Sequence, residues 1–371
     1  YPLDVYFCKS CASVQLLDVI PKETLFDDYR YLSSVASNTV LEHFQSYAKE
    51  IKNDLLSNSG FVVEIACNDG ILLKPLSDLD VNCLGIDPAT NIVSVAKEKG
   101  LNVINGFFGK NIAEDIIKKF GFADVVIANA VFAHVDDMDD MTSSISKILC
   151  ESGLFIFEVH YLADIIEKMQ YDSIYHEHFS YHSITALSTF LKKYDLEIYN
   201  IKKFSVRGGM IRVYAKKISN KNLQICTAVS DFLQSEKKLG LDRLETFEIF
   251  GKSVMNHKEE MISLLKKLKS EGKKIVAYGM SGRGNTLLNF WQVDVKIIDY
   301  GIDASPERYD RYVPGMHIPI IPPDNALDGV DYALLFAWVF KDDIMKKENE
   351  FIKNGGKFII PMPKPHLEPI N

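Results

Sequence analysis

The chain has 371 residues, 47% of them hydrophobic and 25% charged, more than one ordinary hydrophobic core accommodates, so two or three domains are expected. A net charge of −8 with no long basic run argues against a nucleic-acid partner. No apolar run reaches bilayer length, and six scattered cysteines do not make a disulfide scaffold, so the expectation is a cytoplasmic, reduced protein with no membrane partner.

The chain opens on Tyr1, and "YPLDVYFCKSCASVQLLDV" reads as the middle of a longer polypeptide. Cys8 and Cys11 form a CxxC knuckle between short β-like runs, so residues 1–31 are expected to be a small cysteine lobe and linker. "NTVLEHFQSYAKEIKNDLLSNSG" carries apolar residues at helical spacing, with Gly60 as a stop. Strand and helix signals then alternate. "FVVEIACNDG", "VNCLGIDPA", "LNVINGFFG", "ADVVIANAVFAHV" and "LFIFEVHYL" read as strands, and the segments between them as helices. That alternation predicts a parallel, doubly wound sheet. "EIYNIKKFSVR" and "MIRVYAKKI" fit an antiparallel addition at its edge, completing a domain over 32–218. Lys- and Glu-rich helical sequence from about Asn222 to Glu271 bridges to a second series, "KKIVAYGMSGRGNTLLNFW", "VKIIDYGID", "DYALLFAWVF" and "KFIIPMP", so that 219–371 forms the last domain. The fold class is therefore α/β, with two Rossmann-like doubly wound domains behind the cysteine lobe.

In "VVEIACNDGILL", Glu64, Ala66, Asn68 and Gly70 give E-x-A-x-N-x-G between a strand and a helix, a worn form of the turn that brings a cofactor against backbone. Asn tolerates left-handed dihedrals and can stand in for a turn glycine. Asp87 ends the next strand, where an acidic residue suits ribose hydroxyls, and Phe108, Asn129 and Ala130 follow at later strand ends. The full G-x-G-x-x-G pattern is absent, which suits S-adenosylmethionine, a ligand with no diphosphate to cradle, better than NAD. An ordinary βα turn would also need small residues here.

"YDSIYHEHFSYHS", Tyr171 to Ser183, is dense in proton-transfer groups and admits a metal site, an acid–base site or a polar loop. In extended backbone His176 and His178 share a face while Glu177 points away, so convergence of all three on a metal is difficult and proton transfer is favoured. Further on, Gly279, Gly282 and Gly284 form G-x-x-G-x-G between strand and helix, with Ser281, Arg283 and Asn285 beside them and Asp303 ending the next strand. Such a turn suits phosphate oxygens. A nucleoside diphosphate, NAD, or a fold that has lost its ligand are the open readings.

Together, "VVEIACNDGILL", "VFAHVDD", "EVHYLADIIEKMQYDSIYHEHFSYHS" and "AYGMSGRGNTLLN" resemble, in the same order, the sugar C-methyltransferases that act on nucleotide-linked keto-deoxysugars. The resemblance implies a zinc-binding N-terminal lobe, a central methyltransferase domain of class I and a C-terminal Rossmann-like domain that helps hold the nucleotide sugar. It implies His178 as general base, Tyr175 and Glu177 as its neighbours, His134 as a further polar residue of the pocket, and Tyr29 or Tyr31 in "DYRYLSS" as a contribution from the linker. Gly279, Ser281, Arg283, Asn285 and Arg212 are the candidate substrate contacts, and a monomer is expected. Three departures stand out. One CxxC pair, Cys8 and Cys11, occurs where the family has two, and a structural zinc needs four ligands, so Zn2+ is expected only with cysteines from upstream. Ala66 replaces the usual Gly, and Arg207 and Met210 stand where His and Ser are expected. The expected function is S-adenosylmethionine-dependent C-methylation beside the ketone of a nucleotide-linked keto-deoxysugar. The alternatives are an NAD-dependent oxidoreductase on nucleotide sugars and a non-catalytic nucleotide-sugar-binding protein.

Overall fold

The computed structural model describes residues 2–27, 29, 31–33, 38–56 and 60–369, the side chain of residue 207 excepted. The chain forms two compact units, residues 1–163 with 176–244 and residues 164–175 with 245–371. The cysteine lobe therefore does not stand apart from the first unit. The boundary expected at residue 219 falls inside that unit, and residues 164–175 leave it for the second.

The first unit begins with β1 (Val5–Phe7), β2 (Val14–Leu16), α1 (Lys22–Phe26) and α2 (Asn38–Glu50). It continues through β3 (Phe61–Ile65), α3 (Leu73–Asp78), β4 (Asn82–Asp87), α4 (Thr90–Glu98), β5 (Val103–Asn105), α5 (Lys110–Phe120), β6 (Ala123–Asn129), α6 (Met138–Ile148) and β7 (Leu149–His160), after which α7 (Leu162–Glu167) starts in this unit and runs into the second. It closes with β8 (Ser180–Tyr181), α8 (Ile184–Lys192), β9 (Leu196–Phe204), β10 (Met210–Lys217) and α9 (Thr227–Leu239). Seven strands make one sheet in the order β5-β4-β3-β6-β7-β10-β9. The first five are parallel, and β10 runs antiparallel to both β7 and β9, as the edge addition predicted. All five residues of β3 are buried, the run expected of a parallel strand covered on both faces. Strand order reverses between β3 and β6, so the loops at their carboxyl ends diverge and open a crevice there. Strand β6 stops at Asn129, short of the predicted "AVFAHV", because Ala130 turns to φ +53°, outside the β region. Separately, β1, β2 and β8 form a three-stranded antiparallel sheet that ties the N-terminal hairpin to the "FSYHS" segment.

A buried ion cluster locks α2 to the sheet. Arg212 on β10 lies directly across from Glu158 on β7. Its Nε and Nη2 donate to Glu158 Oε1 at 2.8 and 2.6 Å, and its Nη1 donates to Glu50 Oε2 at 2.7 Å. His43 adds a 2.8 Å contact to Glu158, while Tyr214 and Lys202 donate to Glu50. The guanidinium lies 3.2 Å from the Tyr47 ring centroid and 4.7 Å from that of Phe204. Burial alone would raise the Glu158 carboxyl, but His43 and Arg212 outweigh it and hold the group below its ordinary value. Arg212, expected as a substrate contact, is 2% exposed, and its donors serve Glu158 and Glu50.

The second unit starts with α10 (Leu244–Ser270), β11 (Ile275–Tyr278), α11 (Gly282–Trp291), β12 (Gly301–Ile302), β13 (Ile320–Ile321) and β14 (Tyr332–Leu335). It ends with α12 (Lys341–Lys347), α13 (Asn349–Lys353), β15 (Lys357–Ile360) and β16 (His366–Glu368). Its sheet has the order β13-β12-β11-β14-β15-β16, parallel except for β16. Residues 164–175 belong here because Tyr171 is built into this core. Its hydroxyl accepts from Trp291 Nε1 at 2.9 Å and meets His257 Nδ1 at 2.9 Å, and His257 Nε2 lies 2.7 Å from the Pro361 carbonyl. Among the described residues no helix is long and apolar enough to cross a membrane.

Removing Arg212 leaves Glu158 buried with most of its compensation gone. Arg212→Met is expected to lower unfolding free energy by about 3–5 kcal/mol in urea titrations, and adding Glu158→Gln to restore part of it. A loss below about 1 kcal/mol, the range of an exposed pair, would show that the pair is solvated.

Candidate active site

The crevice between β3 and β6 is built by a turn that repeats left-handed backbone at alternate residues. Ala66, Asn68 and Gly70 take φ of +52°, +51° and +90°. The conformation costs an L-residue such as Ala roughly 1–2 kcal/mol, Asn less, and glycine nothing of the kind. At Gly70 a Cβ would stand 2.2 Å from Leu101 Cδ1. Asp87, at the end of β4, fixes the turn: its carboxylate accepts the N–H of Asn68 at 2.9 Å and that of Ala89 at 3.0 Å. Burial still raises the Asp87 carboxyl above its ordinary value, with the two amides opposing. Glu64 is raised further, by burial and then by the charge of Asp87. Glu64 Oε2 and both polar atoms of the Asn129 amide are buried without a hydrogen-bond partner. Ala130 donates its N–H to the Glu158 carbonyl at 2.8 Å, which joins the far wall of the crevice to the ion cluster. Phe108 lines a cleft of about 210 Å³ with Lys22, Phe107 and the first residues of α5.

Two hydrogen bonds bring the linker to this turn, and a third ties it to α4. Asn68 Oδ1 accepts from Ser33 N at 2.9 Å, Asn68 Nδ2 donates to the Tyr31 carbonyl at 3.0 Å, and Asn91 Nδ2 donates to the Tyr29 carbonyl at 2.8 Å. The Tyr29 hydroxyl then donates to Glu177 Oε2 at 3.2 Å. Burial pushes the Glu177 carboxyl up, and that hydroxyl opposes the shift. The rings of Tyr29 and Tyr31 lie 6.4 Å apart, and Phe26 bridges Tyr29 to His134 at 5.6 and 5.9 Å.

His178 is 4% exposed and sits between two imidazoles, His134 at 4.9 Å and His160 at 5.5 Å between ring centroids. The extended backbone expected around it is replaced by a turn at His176 and Glu177, followed by β8. The Phe179 N–H bonds the Ala133 carbonyl at 2.6 Å, which holds the His178 segment against the His134 turn. Tyr175 falls with the second unit. His160 was missed in the sequence, although it occupies the last position of β7, at the same sheet edge as Asn129.

In the second unit Gly279, at φ +82°, lies so close to β14 that a Cβ would stand 2.9 Å from Ala337 Cβ. Ser281 precedes α11, and Arg283 Nη1 approaches Asp172 Oδ2 at 3.6 Å, an oxygen that also accepts from Trp338 Nε1 at 2.8 Å. Arg283 is thus directed toward a fully buried carboxylate, which sequence reasoning did not anticipate. Asn285 accepts from Asn289 Nδ2 at 3.0 Å within the helix.

Cys8 and Cys11 form a tight turn in which Cys8 N donates to the Ser13 carbonyl and Ala12 N to the Cys8 carbonyl. Backbone N–H groups of Cys11 and Ser10 lower the Cys8 thiol below its ordinary value, a setting that fits half of a thiolate site. Among the described residues no group of three or more His, Cys, Asp or Glu is arranged to hold a metal. The zinc expectation is therefore not carried by this chain's described residues.

Comparisons with known proteins agree on one chemistry. Residues 40–201 match the family model described as a methyltransferase domain, and residues 205–363 match the C-methyltransferase C-terminal domain. The chain is similar to the C-methyltransferase NovU of Streptomyces niveus, 31% identical over 369 residues, which covers 99% of this chain and 87% of that protein. It is also 30% identical over 122 residues to the ubiquinone biosynthesis O-methyltransferase of Methylobacterium nodulans, covering 32% of this chain and 47% of that protein. Among solved structures, the glycopeptide N-methyltransferase MtfA complexed with S-adenosylmethionine is 13% identical, covers 51% of this chain and 96% of that chain, and has a TM-score of 0.37. At that score the likeness adds nothing to the assignment.

His182, two residues beyond Ser180 and facing its hydroxyl at 3.2 Å, generates a pH prediction. Burial, and then the nearby His134, depress its imidazole from 6.5 to about 4, with the Phe132 carbonyl opposing. The unfolded chain takes up this proton before the folded one does, so the contribution to stability is complete above pH 6.5 and is lost as pH falls toward 4. The loss amounts to about 3 kcal/mol. Unfolding titrations of the wild type and His182→Asn across that window should show a shallower pH slope in the variant. Equal slopes would place the imidazole in solvent.

Proposed function

The chain belongs to the S-adenosylmethionine-dependent C-methyltransferase family, and from that premise we propose that it methylates the carbon beside the ketone of a nucleotide-linked keto-deoxysugar. The observation that carries the reading is the line from the Asn68 turn through Tyr29 to Glu177, beside His178, within one unit. That connection supports reading the turn and the histidine cluster as parts of one site.

The crevice residues fit the cofactor. Glu64 and Asn129 are buried polar groups in want of partners, and Asp87 ends its strand where ribose hydroxyls are received. Glu64, the turn of Ala66, Asn68 and Gly70, Asp87, Phe108, Asn129 and Ala130 would hold it. When bound, the cofactor supplies an electrophilic methyl on a sulfonium whose positive charge disperses on transfer.

The remaining chemistry belongs to the chain. A ketone acidifies the neighbouring C–H, and a neutral imidazole is suited to take that proton near pH 7. His178 takes it onto a ring nitrogen, leaving the electron pair in an enolate. Glu177, held by the Tyr29 hydroxyl, stabilises the cationic ring, as a carboxylate does beside histidine elsewhere. His134, in the same unit as His178, is the candidate donor to the enolate oxygen, such a donor being worth about 2.7–4 kcal/mol. The second glycine turn, from Gly279 through Ser281 to Asn285, supports a nucleotide-binding role for the second unit. It lies after β11 at the strand-order reversal of a parallel sheet.

His178→Asn is expected to abolish deuterium exchange next to the ketone while leaving S-adenosylhomocysteine affinity unchanged in calorimetry. Normal exchange in that variant removes His178 from the role. Asp87→Asn should weaken S-adenosylhomocysteine binding about tenfold or more, the cost of one charged hydrogen-bonding group. Because burial raises the Asp87 carboxyl, wild-type affinity should begin to fall on acidification above the ordinary aspartate range, and the variant should lack that limb. Mass spectrometry of a panel of nucleotide keto-sugars incubated with protein and S-adenosylmethionine tests the substrate class: one should gain a methylene unit, and no gain across the panel would sink the sugar reading.

A further inference from the structure

We propose that Asn68 is a positioning residue whose side chain fastens the linker bearing Tyr29, Tyr31 and Ser33 across the cofactor turn, and so sets Tyr29 against Glu177. The kinetic consequence rests on the C-methyltransferase reading, and the tether itself does not.

The sequence assigns Asn68 to the cofactor, and its backbone does serve that turn, with φ +51° and the N–H on Asp87. Its side chain faces elsewhere. The amide oxygen meets a group that can only donate, the Ser33 N–H, and the amide nitrogen meets one that can only accept, the Tyr31 carbonyl. That pairing also fixes the amide's orientation, since a flip would set donor against donor and acceptor against acceptor. Asn91, on α4, grips the same linker one step earlier, at the Tyr29 carbonyl. Tyr29, Tyr31 and Ser33 belong to no strand or α-helix, so side-chain bonds of this kind supply the fixed geometry that regular structure would otherwise give. Glycine would satisfy the left-handed backbone at 68 as well as Asn does. What Asn adds is a two-ended amide. The linker's end point is the Tyr29 hydroxyl on Glu177, so the turn that receives the methyl donor and the carboxylate beside the base are joined through one amide.

Asn68→Gly separates the two roles, because it keeps the backbone N–H and dihedral while deleting the tether. In the full-length chain, S-adenosylhomocysteine affinity by calorimetry is expected to stay within about threefold of wild type. Amide exchange by mass spectrometry, in peptides spanning 29–33, should accelerate by about tenfold or more. On whichever keto-sugar the wild type methylates, kcat should fall about tenfold with KM for S-adenosylmethionine little changed. Asn91→Ala, which releases the linker without touching the turn, should shift exchange and kcat in the same direction and guards against a folding defect at position 68. Unchanged exchange in both variants overturns the proposal. So does a tenfold loss of S-adenosylhomocysteine affinity with unchanged exchange, which makes Asn68 a cofactor ligand instead. If the wild type methylates no keto-sugar, the substrate reading fails while the exchange and affinity arms still decide the tether.

Discussion

A carboxylate drawn out of water at the end of β4 organises this site. Asp87 is 6% exposed, and a buried charge requires partners. The N–H groups of Asn68 and Ala89 answer it, and in doing so they fix the turn after β3 and the start of α4 at once. Everything nearer the chemistry hangs from those two elements. The turn and α4 supply the amides of Asn68 and Asn91, those amides hold the linker, and the linker carries Tyr29 to Glu177. Asp87 in turn raises the Glu64 carboxyl on the neighbouring strand β3, adding to the effect of its burial.

Much of this was legible in the residues. Parallel strands buried on both faces write themselves as apolar runs, and "FVVEI" and "VVIA" were read correctly because nothing else in the local chain competes with that pattern. The antiparallel pair β9 and β10 was equally plain. The end of β6 was not, since a single residue of positive φ, Ala130, stops the strand against its own apolar continuation. Domain limits were harder still. Residues 164–175 join the second unit through Tyr171, packed against His257 and Trp291, and through Asp172, bonded to Trp338, long-range pairings that leave no periodic trace.

The site shows the same division. Glu64, Asp87 and Asn129 were singled out by their places at strand ends, and Tyr29, Glu177 and His134 by the family likeness. For Arg212 the local sequence carries no sign of its partners, and only the cross-strand register reveals Glu158 opposite it. His160 went unnoticed inside a motif read as strand, although strand-end position was the signal already used for Asn129. Asn68 was assigned by its backbone, while its side chain answers to residues more than thirty positions earlier. Local chemistry identifies which groups can act, and chain topology decides which of them meet.

The pairing of β2 with β8 has a consequence for how the protein comes into being. Gln15 pairs with Ser180, and Leu16 N donates to the Phe179 carbonyl at 2.8 Å, so the hairpin of β1 and β2 finds its partner strand only after roughly 160 further residues have been synthesised. Closing so long a loop is entropically slow, and the intervening sheet has time to form before it. The pairing beside His178 is therefore completed late, and a nascent chain can own a finished turn after β3 while β8 still lacks its neighbour.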